Sequence, residues 1–251
     1  MTQIHENRRF MHCPSFKTAM AASDQAKELP APPFGKPIIS ELITLPAFDG
    51  AVTIPTYGEL LDIRRSKRKY AATPMTGEQL AFMLWSVQGI QSFRGEVSTL
   101  RPSPSGGARH PFETYIAVKA VDGLAPGMYH YLPTENIGEK LCSIQKVGDC
   151  PSEEQITTML AGQKWAADAP IVIFYSCIPY KAEWRYAANA HRVMLIDLGH
   201  AGQNAMLSAA ALGLGSCCMA AYDQEECDKT LGFDGINEYT VYAVAVGKPL
   251  D

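Results

Sequence analysis

A long apolar segment near the carboxyl end constrains the fold more than any other part of the sequence. Between residues 187 and 212, apolar positions such as Met194, Leu198 and Ala201 recur close to every 3.6 residues, and Gly213 follows. This spacing predicts one helix over 187–212 that ends at the glycine. Because the segment is apolar nearly all round, we expect a sheet to cover one side and a second subunit to cover another.

Shorter segments predict the sheet and the other helices. Thr76 and Gln79 form a capping pattern ahead of a helix, and a second helical pattern starts at Tyr57. A third short helix is predicted over 153–160. Apolar or alternating runs predict strands over 115–118, 128–132, 140–147, 170–177 and 239–246.

Composition favours one main domain that binds a small molecule. The 251 residues are 47% hydrophobic and carry a formal charge of -4, which argues against a nucleic-acid or anionic-membrane partner. Residues 1–35 are polar, end in a proline-rich stretch, and are interpreted as an N-terminal arm or linker. The domain itself is then predicted over 36–251.

Cysteine usage and hydropathy indicate a soluble, cytoplasmic protein. The seven cysteines form no CxxC motif, and no Cys/His spacing predicts a metal site. The pair Arg8-Arg9 leaves export as an alternative, but charged residues interrupt the apolar region that a signal peptide needs. No apolar run approaches the roughly 20 residues that span a bilayer.

The basic cluster Arg64-Arg65-Ser66-Lys67-Arg68 is the first candidate site. If its backbone is extended, the side chains at 64, 66 and 68 share one face, while Arg65 and Lys67 point away. Two guanidinium groups and a hydroxyl then suit a phosphate. The alternative is a solvated basic turn after a helix.

Two glycine-containing segments are further candidates. In 104–109, small residues would let backbone N–H groups approach a flat ring, although a plain connecting loop has the same composition. In 213–221, a glycine turn is followed by small residues whose N–H groups could face a cofactor edge. Cys217-Cys218 within it is either a redox pair or two small buried residues, and we favour burial.

Taken in order, these segments resemble the FMN-dependent nitroreductase superfamily, and within it the SagB-type dehydrogenase branch. The resemblance covers roughly residues 57–250 and includes 84–90 and 199–204 besides the motifs above. It implies an α+β fold with a mixed or antiparallel sheet flanked by helices. It also implies an intertwined homodimer with FMN at the interface.

The resemblance assigns candidate residues to the cofactor. Arg64, Ser66 and Arg68 correspond to contacts with the phosphate, ribityl chain and ring edge of FMN, and Lys248 to a further phosphate contact. Gln163 resembles an amide that contacts the ring, and the backbone near Ala220 and Ala221 would face flavin N5. The loop donated by the other subunit corresponds to Pro104, Ser105 and Gly106.

The implied reaction is ping-pong hydride transfer. NADH or NADPH would reduce the flavin, which would then reduce a flat oxidant such as a nitroaromatic or a quinone. The alternatives are a SagB-type dehydrogenase that oxidises thiazoline or oxazoline in a peptide, and a non-catalytic flavin-binding protein. Such dehydrogenases have a Lys-Tyr pair where this chain has Arg185-Tyr186, so Tyr186 is the only catalytic side-chain candidate, and Lys181 lies at a different register.

Overall fold

Nine strands lie in two sheets in the part of the chain that the structure describes. The computed structural model describes residues 3–10, 12, 15–52 and 56–250. The strands are β1 (Leu42–Thr44), β2 (Ser92–Phe93), β3 (Thr99–Leu100), β4 (Phe112–Val118), β5 (Gly127–Tyr131), β6 (Ser143–Gly148), β7 (Ile171–Cys177), β8 (Gly215–Met219) and β9 (Tyr239–Gly247). Seven of them form one sheet in the order β1-β6-β5-β4-β7-β9-β8, and every neighbouring pair is antiparallel.

Helices cover both faces of the large sheet. They are α1 (Gln3–Arg9), α2 (Phe16–Ala21), α3 (Tyr57–Ile63), α4 (Gly77–Gln88), α5 (Glu153–Met159), α6 (Lys164–Ala167), α7 (Tyr180–Tyr186), α8 (Ala190–Ala211) and α9 (Gln224–Leu231). On one face, Ala205 of α8 joins the same core cluster as Ile173 of β7. On the other, Met159 of α5 and Cys227 of α9 join the cluster of Phe174. Consecutive residues of β7 therefore enter opposite core layers, which confirms the predicted α+β fold.

Capping residues set the starts of two helices as predicted. Thr76 Oγ1 accepts the N–H of Gln79 at 3.2 Å, and the Gln79 side chain accepts the N–H of Thr76 at 3.0 Å. Thr56 and Glu59 form the same reciprocal pair at the start of α3. Each box satisfies two N–H groups that a helix start leaves without intrahelical partners.

The long apolar helix begins later than predicted. The prediction of one helix over 187–212 is wrong at its start, because α7 ends at Tyr186 and residues 187–189 form a 3₁₀ turn before α8. Ala187 has φ of 45°, a conformation that interrupts a right-handed helix. Hydrophobic spacing carries no sign of such a turn. The predicted end is confirmed, since Gly213 has φ of 69°.

A strand follows α8 where the sequence predicts only a glycine turn and small residues. The segment of β8 has little intrinsic strand preference, but it pairs along its whole length with β9, which is rich in valine and tyrosine. Cys217 is buried, Cys218 is half-buried, and both are free thiols. They pack as small residues, in agreement with the favoured interpretation.

The N-terminal segment packs against its own chain. The N–H of Gln25 donates to the carbonyl of Trp184 at 2.8 Å, and the indole Nε1 of Trp184 donates to the carbonyl of Leu29 at 3.0 Å. Two short helices, α1 and α2, occur in 1–35, where the sequence indicates no regular structure. The division between an arm over 1–35 and a domain over 36–251 stays a prediction.

Residues 34–40, which we call the strap, cross from this segment to the sheet. The carbonyl of Phe34 accepts Lys181 Nζ at 3.2 Å, and Gln145 Oε1 accepts the N–H of Ile39 at 2.7 Å. Lys36 Nζ lies 2.5 Å from a carboxylate oxygen of Glu238. The strap is therefore bonded to three separate parts of the domain.

Among the residues described here, no helix combines the length and hydropathy needed to cross a membrane. Within the same residues, no group of three or more His, Cys, Asp or Glu side chains is placed to hold a metal ion.

Candidate functional site

The basic segment after α3 runs along the edge strand of the large sheet. Ser66 forms a parallel bridge with Ser216 of β8, and the N–H of Lys67 donates to the Ser216 carbonyl at 3.0 Å. Further along, the N–H of Ala71 donates to the carbonyl of Lys248 at 2.9 Å. These bonds hold the segment extended, which is the condition under which alternate side chains share a face.

Ser66 and Arg68 meet on that face, next to Cys217. Burial raises the pKa of the Cys217 thiol, while the charge of Arg68 and hydrogen bonds from both side chains oppose the rise. The guanidinium carbon of Arg68 also lies 5.7 Å from the centroid of the Trp165 ring. A hydroxyl and a guanidinium group are thus held side by side at the sheet edge.

Arg64 lies apart from this pair. With Arg65 and Lys67 it lines a cavity of about 170 Å³ that is closed on one side by Met206 of α8. The Arg65 guanidinium donates to the Arg64 carbonyl at 2.8 Å. The structure therefore places Arg64 with the residues that were expected to point away, and separates it from its expected partners.

Gln163 brings the segment after β8 to the same side as Arg68. Its Nε2 donates to the carbonyl of Ala221 at 2.8 Å and to that of Leu160 at 3.1 Å. Ala220 and Ala221 are exposed. We call Ser66, Arg68, Gln163 and Ala221 the edge cluster.

The glycine loop, residues 104–109, is anchored elsewhere, on α8. Ser105 Oγ donates to Asp197 Oδ2 at 2.7 Å, and the N–H of Gly106 donates to both oxygens of that carboxylate at 3.0 Å. Burial raises the pKa of the Asp197 carboxyl, and these bonds oppose the rise. Asp197 is not among the residues predicted from the sequence, although a lone carboxylate on an apolar helix is a recognisable signal for a buried polar contact.

Both glycines of this loop are required by packing within the chain. A Cβ at Gly106 would lie 2.4 Å from Val193 Cγ1, and one at Gly107 would lie 2.6 Å from Arg185 Nε. Gly107 also has φ of 60°, a conformation that suits glycine. Their small size therefore lets the loop sit on α7 and α8, whereas the sequence suggested a close approach to a flat ring.

A second cavity, which we call the arginine cavity, lies between the glycine loop and α7. Its volume is about 590 Å³, and its walls include Arg94, Arg101, Ser103, Ser105, His110 and Arg185. Tyr186, the one catalytic candidate, is half-buried next to Arg185 and packs edge-on to Phe16 with ring centroids 6.2 Å apart. Within one chain, the structure thus separates the glycine loop and Tyr186 from the edge cluster.

Lys181 is buried in an ion pair and is not available as a base in place of Arg185. Its Nζ lies 2.5 Å from Glu113 Oε1, and the other carboxylate oxygen of Glu113 lies 3.0 Å from His130 Nε2. Burial raises the pKa of Glu113, but the charge of Lys181 and the bond from His130 outweigh this effect and bring it to about 2. The network thus holds a buried carboxylate in its charged form.

The antiparallel sheet, the helices on both faces, the basic edge segment and the glycine loop define an α+β protein of the nitroreductase type. The chain belongs to the nitroreductase family, whose family model matches residues 61–248.

Individual relatives agree with this assignment. The MJ1384 protein of Methanocaldococcus jannaschii, named as a nitroreductase, is 29% identical over 193 residues, which cover 77% of this chain and 91% of that protein. The microcin B17-processing protein McbC of Escherichia coli is 28% identical over 142 residues, 55% of this chain and half of McbC. The match to McbC confirms the resemblance to the SagB-type branch.

Solved structures share the fold. A nitroreductase-type structure from Anabaena variabilis has a TM-score of 0.62 and 26% identity, and the match covers 76% of this chain and 38% of that one. A nitroreductase-type structure from Desulfovibrio desulfuricans, solved in complex with FMN, has a TM-score of 0.52 and 16% identity, with 79% and 89% of the two chains covered.

Proposed function

We propose that the protein is an FMN-dependent oxidoreductase that uses NADH or NADPH to reduce a flat oxidant of the nitroaromatic or quinone type. The observation that carries this proposal is the edge cluster, in which Ser66 and Arg68 lie side by side and Gln163 is fixed against Ala221. A guanidinium fork next to a hydroxyl suits phosphate oxygens. The family assignment and the neighbour solved with FMN support the choice of cofactor.

The charge at the sheet edge fits the phosphate group of FMN. In the part of the chain that the structure describes, neither Arg64, Arg68 nor Lys248 forms an ion pair with a carboxylate. A phosphate ester would supply the missing negative charge. We assign the phosphate to Arg68, Lys248 and Ser66, and the ring edge to Gln163 and the backbone at 220–221.

When bound, FMN would supply the hydride chemistry between the nicotinamide and the oxidant. The chain itself binds and orients the reactants. The exposed residues 220–221 would present backbone N–H groups to the ring edge.

Within one chain the glycine loop lies apart from the edge cluster, and this separation supports a homodimer with the cofactor at its interface. Pro104, Ser105 and Gly106 would reach the edge cluster of a second copy. Beside Asp197, which holds this loop, α8 exposes Leu195 and Ile196, with relative accessibilities of 55% and 52%. Large apolar side chains at that level of exposure are typical of an interface.

Oxidation of thiazoline or oxazoline in a peptide is the second candidate function. The match to McbC, a microcin-processing protein, favours it. The structure adds an argument against it, because the only lysine of α7, Lys181, is buried against Glu113, and the residue at 185 is an arginine, a residue type that is a poor proton acceptor. We therefore place this function second.

Flavin content and reduction test the proposal directly. The purified protein should absorb as a flavoprotein after incubation with FMN, and NADH or NADPH should bleach it under anaerobic conditions. A protein that takes up no FMN would refute the proposal. Uptake of FMN without bleaching by either nicotinamide would identify a non-catalytic flavin-binding protein instead.

A matched pair of variants tests the placement of the phosphate. Arg68→Ala should raise the Kd for FMN about 10-fold to 150-fold, the range for a charged hydrogen bond. Arg65→Ala removes an equal charge from the same segment, but from the opposite side, and should change the Kd by less than about threefold. Equal effects of the two variants would show only a general charge effect.

A further inference from the structure

The arginine cavity has an excess of positive charge that the edge cluster does not explain. Arg94, Arg101 and Arg185 contribute to its walls, and its lining includes neither aspartate nor glutamate. In the described residues, no carboxylate forms an ion pair with any of the three. The nearby buried carboxylate, Glu113, is already matched by Lys181. A cleft lined by one sign of charge concentrates ligands of the other sign.

Two buried polar groups of this cavity lack hydrogen-bond partners. Ser103 is 5% exposed, and its Oγ has no partner in the described chain. The Nε of Arg185 is also buried without a partner, although its Nη1 donates to Gln25 Oε1 at 2.9 Å. Buried donors without partners are unusual in folded proteins.

The titration of neighbouring groups agrees with a positive field. Burial and the charge of Arg101 lower the pKa of His110 to about 3, so its ring is neutral at physiological pH. Burial and the charge of Arg185 lower the pKa of Arg109. An acceptor for this cavity would therefore need to bring negative charge of its own.

We infer that the arginine cavity binds an oxyanion, a carboxylate or a phosphate, carried by one of the two substrates. The assignment to a substrate rests on the proposed function, because the glycine loop would place the cavity next to the cofactor of the second copy. The cavity, of about 590 Å³, is large enough for an aromatic carboxylate on the oxidant, and the other source of the same chemistry is a phosphate of the nicotinamide nucleotide.

Direct binding tests the inference without turnover. Calorimetric titration of the full chain should show 4-nitrobenzoate binding at least about tenfold more tightly than the neutral 4-nitrobenzyl alcohol. Arg185→Gln should remove this preference, and Arg94→Gln, which changes an exposed side chain, should reduce it. Arg8→Gln, a matched loss of charge on α1, should leave it unchanged. Equal binding of acid and alcohol by the wild-type protein would overturn the inference.

Kinetics with the same pair of compounds assign the source of the anion. If the oxidant carries it, the KM for nitrobenzoate should rise about 10-fold to 100-fold in Arg185→Gln, while the KM for the alcohol stays constant. If the nucleotide carries it, benzoate should compete with NADH or NADPH, and the variant should raise the KM of the nucleotide. Binding of nitrobenzoate without any turnover would contradict the proposed function and leave the anion site in place. Turnover that responds to neither test would refute the anion site alone.

Discussion

Removal of Lys181 should destabilise the protein strongly, because its partner would remain as a buried charge. The two side chains are 4% and 3% exposed, and Lys181 Nζ lies 2.5 Å from Glu113 Oε1. Loss of one member of a buried pair costs about 3–5 kcal/mol. Since His130 still bonds the carboxylate at 3.0 Å, we expect Lys181→Met to fall near the lower limit, about 3 kcal/mol.

A double-mutant cycle isolates the interaction. Glu113→Gln should also destabilise the protein, but Lys181→Met combined with Glu113→Gln should cost less than the sum of the single variants by at least about 1.5 kcal/mol. The measurement is urea unfolding followed by tryptophan fluorescence at one protein concentration. Additivity of the two variants within about 0.5 kcal/mol would refute the reasoning.

A surface pair serves as the control for this cycle. Lys140 lies 3.1 Å from Asp49, but both side chains are more than 60% exposed. Lys140→Met should therefore cost less than about 1 kcal/mol. The dependence of stability on pH in acid provides a second check. The folded protein holds the pKa of Glu113 at about 2, below its ordinary 4.5, so the stability that Glu113 contributes is present above pH 4.5 and is lost as the pH falls through about 2.

Three further predictions concern the arginine cavity, the glycine loop and the basic segment after α3. The fold lowers the pKa of His110 from 6.5 to about 3, so its neutral ring contributes stability above pH 6.5 that is lost as the pH falls towards 3. Between pH 6.5 and pH 3, the urea midpoint of His110→Gln should therefore fall less steeply than that of the wild-type protein. Gly107→Ala should lower the free energy of unfolding by more than the about 1–2 kcal/mol expected from a positive φ alone, because its Cβ would also clash with Arg185. The control in the same unfolding assay is Gly232→Ala, where φ is 76° and a Cβ would meet open space. Arg64→Ala should change the Kd for FMN by less than about threefold, because Arg64 lines the same cavity as Arg65 and lies apart from Ser66 and Arg68; a loss as large as that of Arg68→Ala would contradict this separation.

Local signals in the sequence predicted most of the elements. The Thr76 capping box defines the start of α4, and the uninterrupted apolar run around Ile173 identifies a central strand. Both depend on residues close together in the chain. The extended basic segment was also predictable as far as Ser66 and Arg68, because alternation along a strand follows from backbone geometry alone.

Other features depend on contacts between distant parts of the chain. β8 is a strand because β9 pairs with it, and Arg64 lines a cavity together with residues of α8, which are more than 140 positions away in the sequence. The interruption between α7 and α8 depends on the positive φ of Ala187, which the alanine-rich sequence around it does not indicate. The buried partner of Lys181 lies 68 positions away in the sequence, so no local pattern indicates it.

The position of the strap in the sequence determines when its contacts can form during synthesis. Residues 34–40 are made early, but Lys36 pairs with Glu238, 202 positions further along the chain. While most of the chain is being made, the strap lacks its native partners, and the contact between Lys36 and Glu238 is the most non-local that we describe. We therefore expect these contacts to form after the folding transition state, so that variants such as Lys36→Met accelerate unfolding and leave the folding rate nearly unchanged.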